Sequence, residues 1–339
     1  MARVRSSTVV SLHASWAGIA EAWEPSVESN TFWSYALRFG VGHLFALPAL
    51  KRAISRQSDI LFTGAYLDWC YTALADDFTP LLLTWRALGT DGAAEAYREA
   101  LESMEVTDVA HLALVRHVVD FLGDAGWKEA ALDAARAAVE AHEHLLTAPH
   151  KEIAASRTLY ALALKRVGKV DEAVEVGRKA LAMHRQTLSP DSPELYVTVN
   201  SLASILNAAK RYDEAEPLFN EAVERRTDLL GAGHPKTLIS VASFAFMLTK
   251  MGKHEASEPF HRRAYEGRVR LLGKHHPKTL TSCVNFGRCQ TELGHYEEAE
   301  ALLSDAVSGR RLVLGAEHSR TLNAEKRLRE CREAAAKSG

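Results

Sequence analysis

Over the last two-thirds of the chain, apolar residues fall at helical three-and-four spacing, and nowhere is the strict alternation of a half-buried strand sustained. The pattern also repeats. His234-Pro235-Lys236-Thr237-Leu238 and His276-Pro277-Lys278-Thr279-Leu280 are identical and lie 42 residues apart. The same step reaches His150, Ser192-Pro193 and His318-Ser319-Arg320-Thr321-Leu322. Further columns keep it: Gly126, Gly168, Lys210, Gly252, Gly294; then Ala131, Ala173, Ala215, Ser257, Ala299; then Ala138, Ala180, Ala222, Ala264, Ala306. Self-similarity at a fixed period of this size marks a stacked array. Five units run from about residue 108 to 317.

Each column has a physical task. His-Pro or Ser-Pro suits a helix start, because proline at the first helical position gives up a donor that would be unpaired anyway. The Gly column separates two apolar-periodic stretches and marks the turn between helices. Small residues seven apart, such as Ala215 and Ala222, lie near one face of the second helix and admit a close neighbour. Gly231, Gly273 and Gly315 end that helix. A unit is thus a helix of roughly 17 residues, a tight turn and a second similar helix, each about 25 Å long. The predicted fold class is all-α, a right-handed α-solenoid of helix pairs with a helical N-terminal cap.

These residues resemble the tetratricopeptide repeat, in the 42-residue variety typified by kinesin light chains. The resemblance rests on His-Pro-x-Thr-Leu, Asn285-Phe286-Gly287, Gly294-His295-Tyr296-Glu297-Glu298-Ala299-Glu300, Ala306-Val307, Arg310 and Leu314-Gly315. The unit from Ser192 matches through Leu202-Ala203, Tyr212-Asp213-Glu214-Ala215-Glu216 and Ala222-Val223. The resemblance is specific for fold and weak for function, since one repeat type serves many roles.

Residues 1–107 differ. Five of the six tryptophans lie there (Trp16, Trp23, Trp33, Trp69, Trp85), and the expectation is irregular helices, including a degenerate repeat, capping the first full unit. Residues 318–339 are rich in Lys, Arg and Glu and are expected to form a C-terminal capping helix.

Composition excludes several classes. A net charge of −2 with 25% charged residues argues against a nucleic-acid partner. No apolar run approaches the roughly 18 residues that cross a bilayer, so membrane insertion is not expected. Cys70, Cys283, Cys289 and Cys331 form no C-x-x-C pair, which reads as reduced thiols in a cytoplasmic setting. An organelle matrix is the alternative, because Arg3 and Arg5 with no acid before Glu21 are weakly like a transit segment.

Catalytic motifs are missing: neither a P-loop, nor G-x-S-x-G, nor H-E-x-x-H occurs, and Gly40-Val41-Gly42 is no dinucleotide fingerprint. No cofactor or metal is implied. His142-Glu143-His144 is read as a solvated face, since residues two apart on a helix point away from each other. The repeated histidines are read as helix starts, too far apart to share zinc.

A binding surface remains. The first helices of the pairs are expected to line the concave side, in rows Arg116, Thr158, Asn200, Ala242, Val284; Asp120, Leu162, Ser204, Phe246, Arg288; and Gly123, Lys165, Asn207, Thr249, Thr291. The resemblance implies that asparagine in the row His117, Leu159, Ser201, Ser243, Asn285 bonds a peptide backbone. Only Asn285 matches; Ser201 and Ser243 have shorter reach. The expected partner is a protein or an extended acidic peptide, held by Lys165, Asn200, Ser204, Asn207, Ser243, Lys250, Asn285 and Arg288 of a non-catalytic scaffold or adaptor. Two alternatives are an enzyme with a pocket where the N-terminal segment meets the repeats, and the sensor half of a larger signalling system.

Overall fold

A computed structural model describes residues 127–338 together with Val119 and Gly123; the expected N-terminal cap over 1–107, and Arg116, His117 and Asp120 of the inner rows, lie outside them. The chain divides into two compact units, Met1–Leu145 and Leu146–Gly339. In the first, α1 (Lys128–Leu145) buries Ala131, Ala134, Ala135, Ala138 and His142. His142 is therefore not on a solvated face, contrary to expectation, whereas Glu143 and His144 are exposed.

The second unit is a run of helices: α2 (Lys151–Val167), α3 (Val170–Thr187), α4 (Leu195–Ala208), α5 (Tyr212–Leu230), α6 (Pro235–Lys250), α7 (His254–Leu272), α8 (Pro277–Glu292), α9 (Tyr296–Leu314) and α10 (Ser319–Ser338). Among the described residues no strand occurs. Each helix packs on the next in sequence, and the first helices α2, α4, α6, α8 and α10 also touch one another in order. The stack is an all-α solenoid of helix pairs.

The His column explains the starts. His150, His234 and His276 each have extended backbone and precede a helix, and Nδ1 of each ring accepts from the backbone N–H two residues on, at 3.1–3.2 Å. His318 does the same for Arg320 N–H. An otherwise orphan amide is thereby satisfied by an imidazole in place of the commoner hydroxyl or carboxylate. The Ser192 unit differs. Its first helix begins later, at Leu195, and the preceding turn is closed by Tyr196, whose hydroxyl donates to the Pro190 carbonyl at 2.6 Å.

The turn column needs left-handed backbone: Gly168, Gly252 and Gly294 have φ of 91°, 75° and 80°. Lys210 takes the same place at φ 60° with a side chain, a conformation costing about 1–2 kcal/mol for a residue with a Cβ. Elsewhere the small residues serve packing. Ala173, Ala180, Ala215, Ala222, Ala264, Ala299 and Ala306 are essentially inaccessible. A Cβ on Gly267 would stand 2.7 Å from Leu238, and one on Gly309 2.5 Å from Leu280, so these helices meet where a methyl group does not fit.

A further column reads His142, His184, Arg226, Arg268 and Arg310, and from His184 onward its members bond the following first helix. From the end of α5, Arg226 Nη1 donates to the Lys236 carbonyl (2.9 Å) and Ser240 Oγ (2.7 Å) on α6. Thr237 returns a bond to the Arg226 carbonyl at 3.1 Å. Arg268 repeats the arrangement with Lys278 O and Ser282 Oγ, answered by Thr279, and Arg310 reaches the Arg320 carbonyl. Burial pulls the guanidinium pKa of Arg226 and of Arg310 down to about 10, still charged at neutral pH.

Two substitutions test this packing. Ala222→Trp or Ala264→Trp should overfill the contact between helices and cost about 1–3 kcal/mol, and an unchanged melting temperature in both would show the faces misassigned. Lys210→Gly should act oppositely, raising stability by up to about 1 kcal/mol by relieving left-handed strain; a fall in melting temperature would contradict that account.

Candidate functional site

The first helices carry the face on which the expected site residues lie. Successive first helices touch more extensively than successive second helices do, which makes their side the inner side of the stack. Asn200, Ser204 and Asn207 are half-buried on α4, Ser243 half-buried and Lys250 exposed on α6, and Asn285 and Arg288 half-buried on α8.

Not every residue in the inner rows is available there. Thr158 bonds Thr198 Oγ1 at 3.0 Å and the Ala154 carbonyl at 2.8 Å, so it joins α2 to α4. Val284 is buried. Thr249, expected in the third inner row, turns toward the second helix, because its hydroxyl has stronger partners there in Ser257 and His261. Lys165 donates to Ser204 Oγ at 2.9 Å, so these two expected site residues are brought together and engage each other. Burial, then the neighbouring Arg166, lowers the Lys165 pKa.

The remaining groups are unmatched. Asn200 Oδ1 is buried without a hydrogen-bond partner, as are Nε and Nη2 of Arg288. Arg288 instead sits over the Phe246 ring at 5.7 Å, and Lys250 Nζ lies 5.5 Å from the same ring. Burial first, and Arg327 second, lower the Arg288 pKa; Glu292 and Glu330 oppose the shift.

The second helices carry a different electrostatic pattern. Arg178 and Arg185 on α3 pair with Glu214 and Glu221 on α5, Lys253 just before α7 with Glu216, and Arg262 on α7 with Glu298 on α9; Glu300 on α9 is met by Arg332 of the first helix α10. These exposed pairs add little stability each. They do leave those cations already matched.

Near Arg288 lies a buried polar cluster that the periodicity alone does not announce. His261 on α7 occupies the place of Phe219 and Leu303 in the neighbouring units, and all three side chains are buried. Its Nε2 is 2.9 Å from Thr249 Oγ1, which donates to Ser257; Ser257 Oγ is 3.2 Å from Cys289 Sγ. Burial, and then the Arg288 charge, push the imidazole pKa down to about 4. The departure from Phe and Leu in that column was the available signal. Among the described residues no group of three or more His, Cys, Asp or Glu side chains could hold a metal ion, and Cys283, Cys289 and Cys331 are buried free thiols.

Comparison with known proteins agrees with this architecture. The family model described as tetratricopeptide repeat matches residues 152–228, 194–242 and 238–312. Over this stretch the residues form tetratricopeptide repeats, and their 42-residue period and fold are similar to those of kinesin-light-chain-type repeats. No curated protein matches it. Among solved structures, a putative kinesin light chain repeat protein from Podosopora anserina is 22% identical with TM-score 0.50, covering 62% of this chain and 99% of that one. BtubC (BKLC) from P. vanneervenii is 20% identical with TM-score 0.54, covering 67% and 92%. A Rap protein complexed with competence and sporulation factor is 15% identical with TM-score 0.52, covering 98% and 100%. At these identities the likeness is one of fold.

The buried histidine makes stability depend on pH. Its folded pKa near 4 lies below the ordinary 6.5, so the unfolded chain binds the proton more readily. The contribution is complete above pH 6.5 and disappears as pH falls toward 4, about 3 kcal/mol in all. His184, also lowered mainly by burial, acts in the same direction. His261→Phe should reduce the drop in melting temperature between pH 7 and pH 4.5 by roughly 5 °C. Equal acid sensitivity in variant and wild type would exclude His261 as a source.

Proposed function

We propose that the chain is a non-catalytic interaction module that takes an extended peptide of acidic character along the inner face of α4, α6 and α8. The observation that carries this reading is the contrast between the two helix layers. Arg178, Arg185 and Arg262 on the second helices are paired with carboxylates of the following unit, while the inner face keeps Lys250 and Arg288 on an aromatic ring without a carboxylate bonded to either, beside half-buried Asn200, Asn207 and Asn285. Amide side chains donate and accept, which suits a peptide backbone, and the cations suit an acidic side chain. Support of a coarser kind comes from the Rap protein of the same fold, whose structure contains competence and sporulation factor. A scaffold or adaptor role follows from such binding, with Lys165 and Ser204 shaping the floor rather than meeting the ligand.

Selection from a phage-displayed random peptide library on the intact chain tests it. Acidic peptides should be enriched, and Lys250→Glu with Arg288→Glu should weaken them at least tenfold. Lys236→Glu, at an exposed position, should leave affinity within about twofold. Raising salt should weaken binding only in part, since the half-buried Arg288 charge is screened less than the exposed Lys250. Selected peptides without acid enrichment, or equal binding by the double variant, would overturn the reading.

A further inference from the structure

We propose that the Nε–Nη2 edge of Arg288 is a single anchor that receives one side-chain carboxylate of the bound peptide and fixes its register. This rests on the reading of the inner face as peptide-binding. The two nitrogens of Arg288 that lack partners are Nε and Nη2, which share one edge of the guanidinium and present parallel N–H groups. That edge matches the two oxygens of a planar carboxylate, a fit an ammonium cannot offer.

The surroundings favour one such contact. Phe246 holds the guanidinium at 5.7 Å and brings Lys250 to the same ring, adding positive potential without competing for the edge. Glu292 and Glu330 favour the Arg288 charge, but neither bonds the two nitrogens, and Glu330 is already held by Arg327 at 2.8 Å. The 42-residue row through this position reads Leu162, Ser204, Phe246, Arg288, Glu330, so it offers one guanidinium. Ser204 is occupied by Lys165. An acid therefore finds one bidentate position between α6 and α10, and a second acid one unit further on would meet Glu330.

The unmatched edge is shielded from solvent, so a ligand must draw the side chain outward across Phe246. No hydrogen bond from Nε or Nη2 has to break for this. Buried, unmet donors are desolvated at a cost that a carboxylate relieves. Arg226 also has a buried Nε without a partner, but it lacks the paired unmet Nη2, and its Nη1 already serves two acceptors on α6.

The test uses the full chain labelled with nitrogen-15 arginine, titrated with N-acetyl-glutamate N-methylamide and followed at the Arg288 Nε–H resonance. A saturable shift is expected, with little response to the glutamine counterpart. Arg288→Lys, which keeps the charge and removes the fork, should weaken binding at least fivefold when read at the backbone amides of Phe246 and Lys250. The phosphoserine counterpart separates the two anionic side-chain sources: binding tenfold tighter than glutamate would overturn the carboxylate assignment. An unresponsive Arg288, or an unchanged Arg288→Lys variant, would also overturn it. If library-selected peptides still shift the Asn200 and Asn207 side-chain amides in that case, the anchor fails and the inner-face reading stands; if they do not, both fall.

Discussion

Burying a cation without a carboxylate is costly unless its N–H groups find other acceptors, and three successive boundaries of the stack supply carbonyl acceptors for such a cation. Arg226, Arg268 and Arg310 stand near the ends of second helices and donate to carbonyls in the first turn of the next. Thr237 and Thr279 return a bond to the carbonyls of Arg226 and Arg268. The pair of bonds fixes both the rotation and the axial position of one unit against the next. Removing one partner would leave a desolvated guanidinium or carbonyl, so the exchange constrains geometry more strongly than its net energy suggests.

With that junction in place, the surfaces of the two layers diverge. Second helices place Arg178, Arg185 and Arg262 beside carboxylates of the following unit, a ladder of exposed ion pairs. First helices meet their neighbours through small and apolar side chains such as Ala203, Ala245 and Leu280. Some of their polar residues, among them Asn200, Asn207 and Asn285, are half-buried on the inner face, where Arg288 sits over Phe246. Unmatched polar groups held on a rigid face are what a partner of complementary chemistry can recognise.

The units are not interchangeable. Where neighbouring units place Phe219 and Leu303, the unit between has His261, bonded to Thr249 and linked through Ser257 to Cys289. This polar cluster lies near the Arg288 charge, which helps to keep the imidazole neutral. Lys210 is a second irregularity, a left-handed lysine where other turns have glycine. Both departures occur in a framework regular enough to hold them, as a repeat array in which each unit contacts only its neighbours permits.

The period, the helix-pair unit, the His-Pro starts and the glycine turns were legible in the residues themselves, because each depends on local backbone geometry. His234 caps its own helix whatever surrounds it, and Gly252 needs only its own φ. The inner rows were legible as a face but not as a site. Rows assigned by period alone placed Thr249 with Asn207, whereas its hydroxyl turns to His261; they placed Lys165 and Ser204 as free contacts, whereas they bond each other. His142 was read as solvated and is buried. Such outcomes depend on which partner lies within 3 Å across a helix contact, and periodicity carries no information at that distance. The helical framework was thus determined by the sequence through local geometry, while tertiary packing decided which of its polar groups are satisfied internally and which are not.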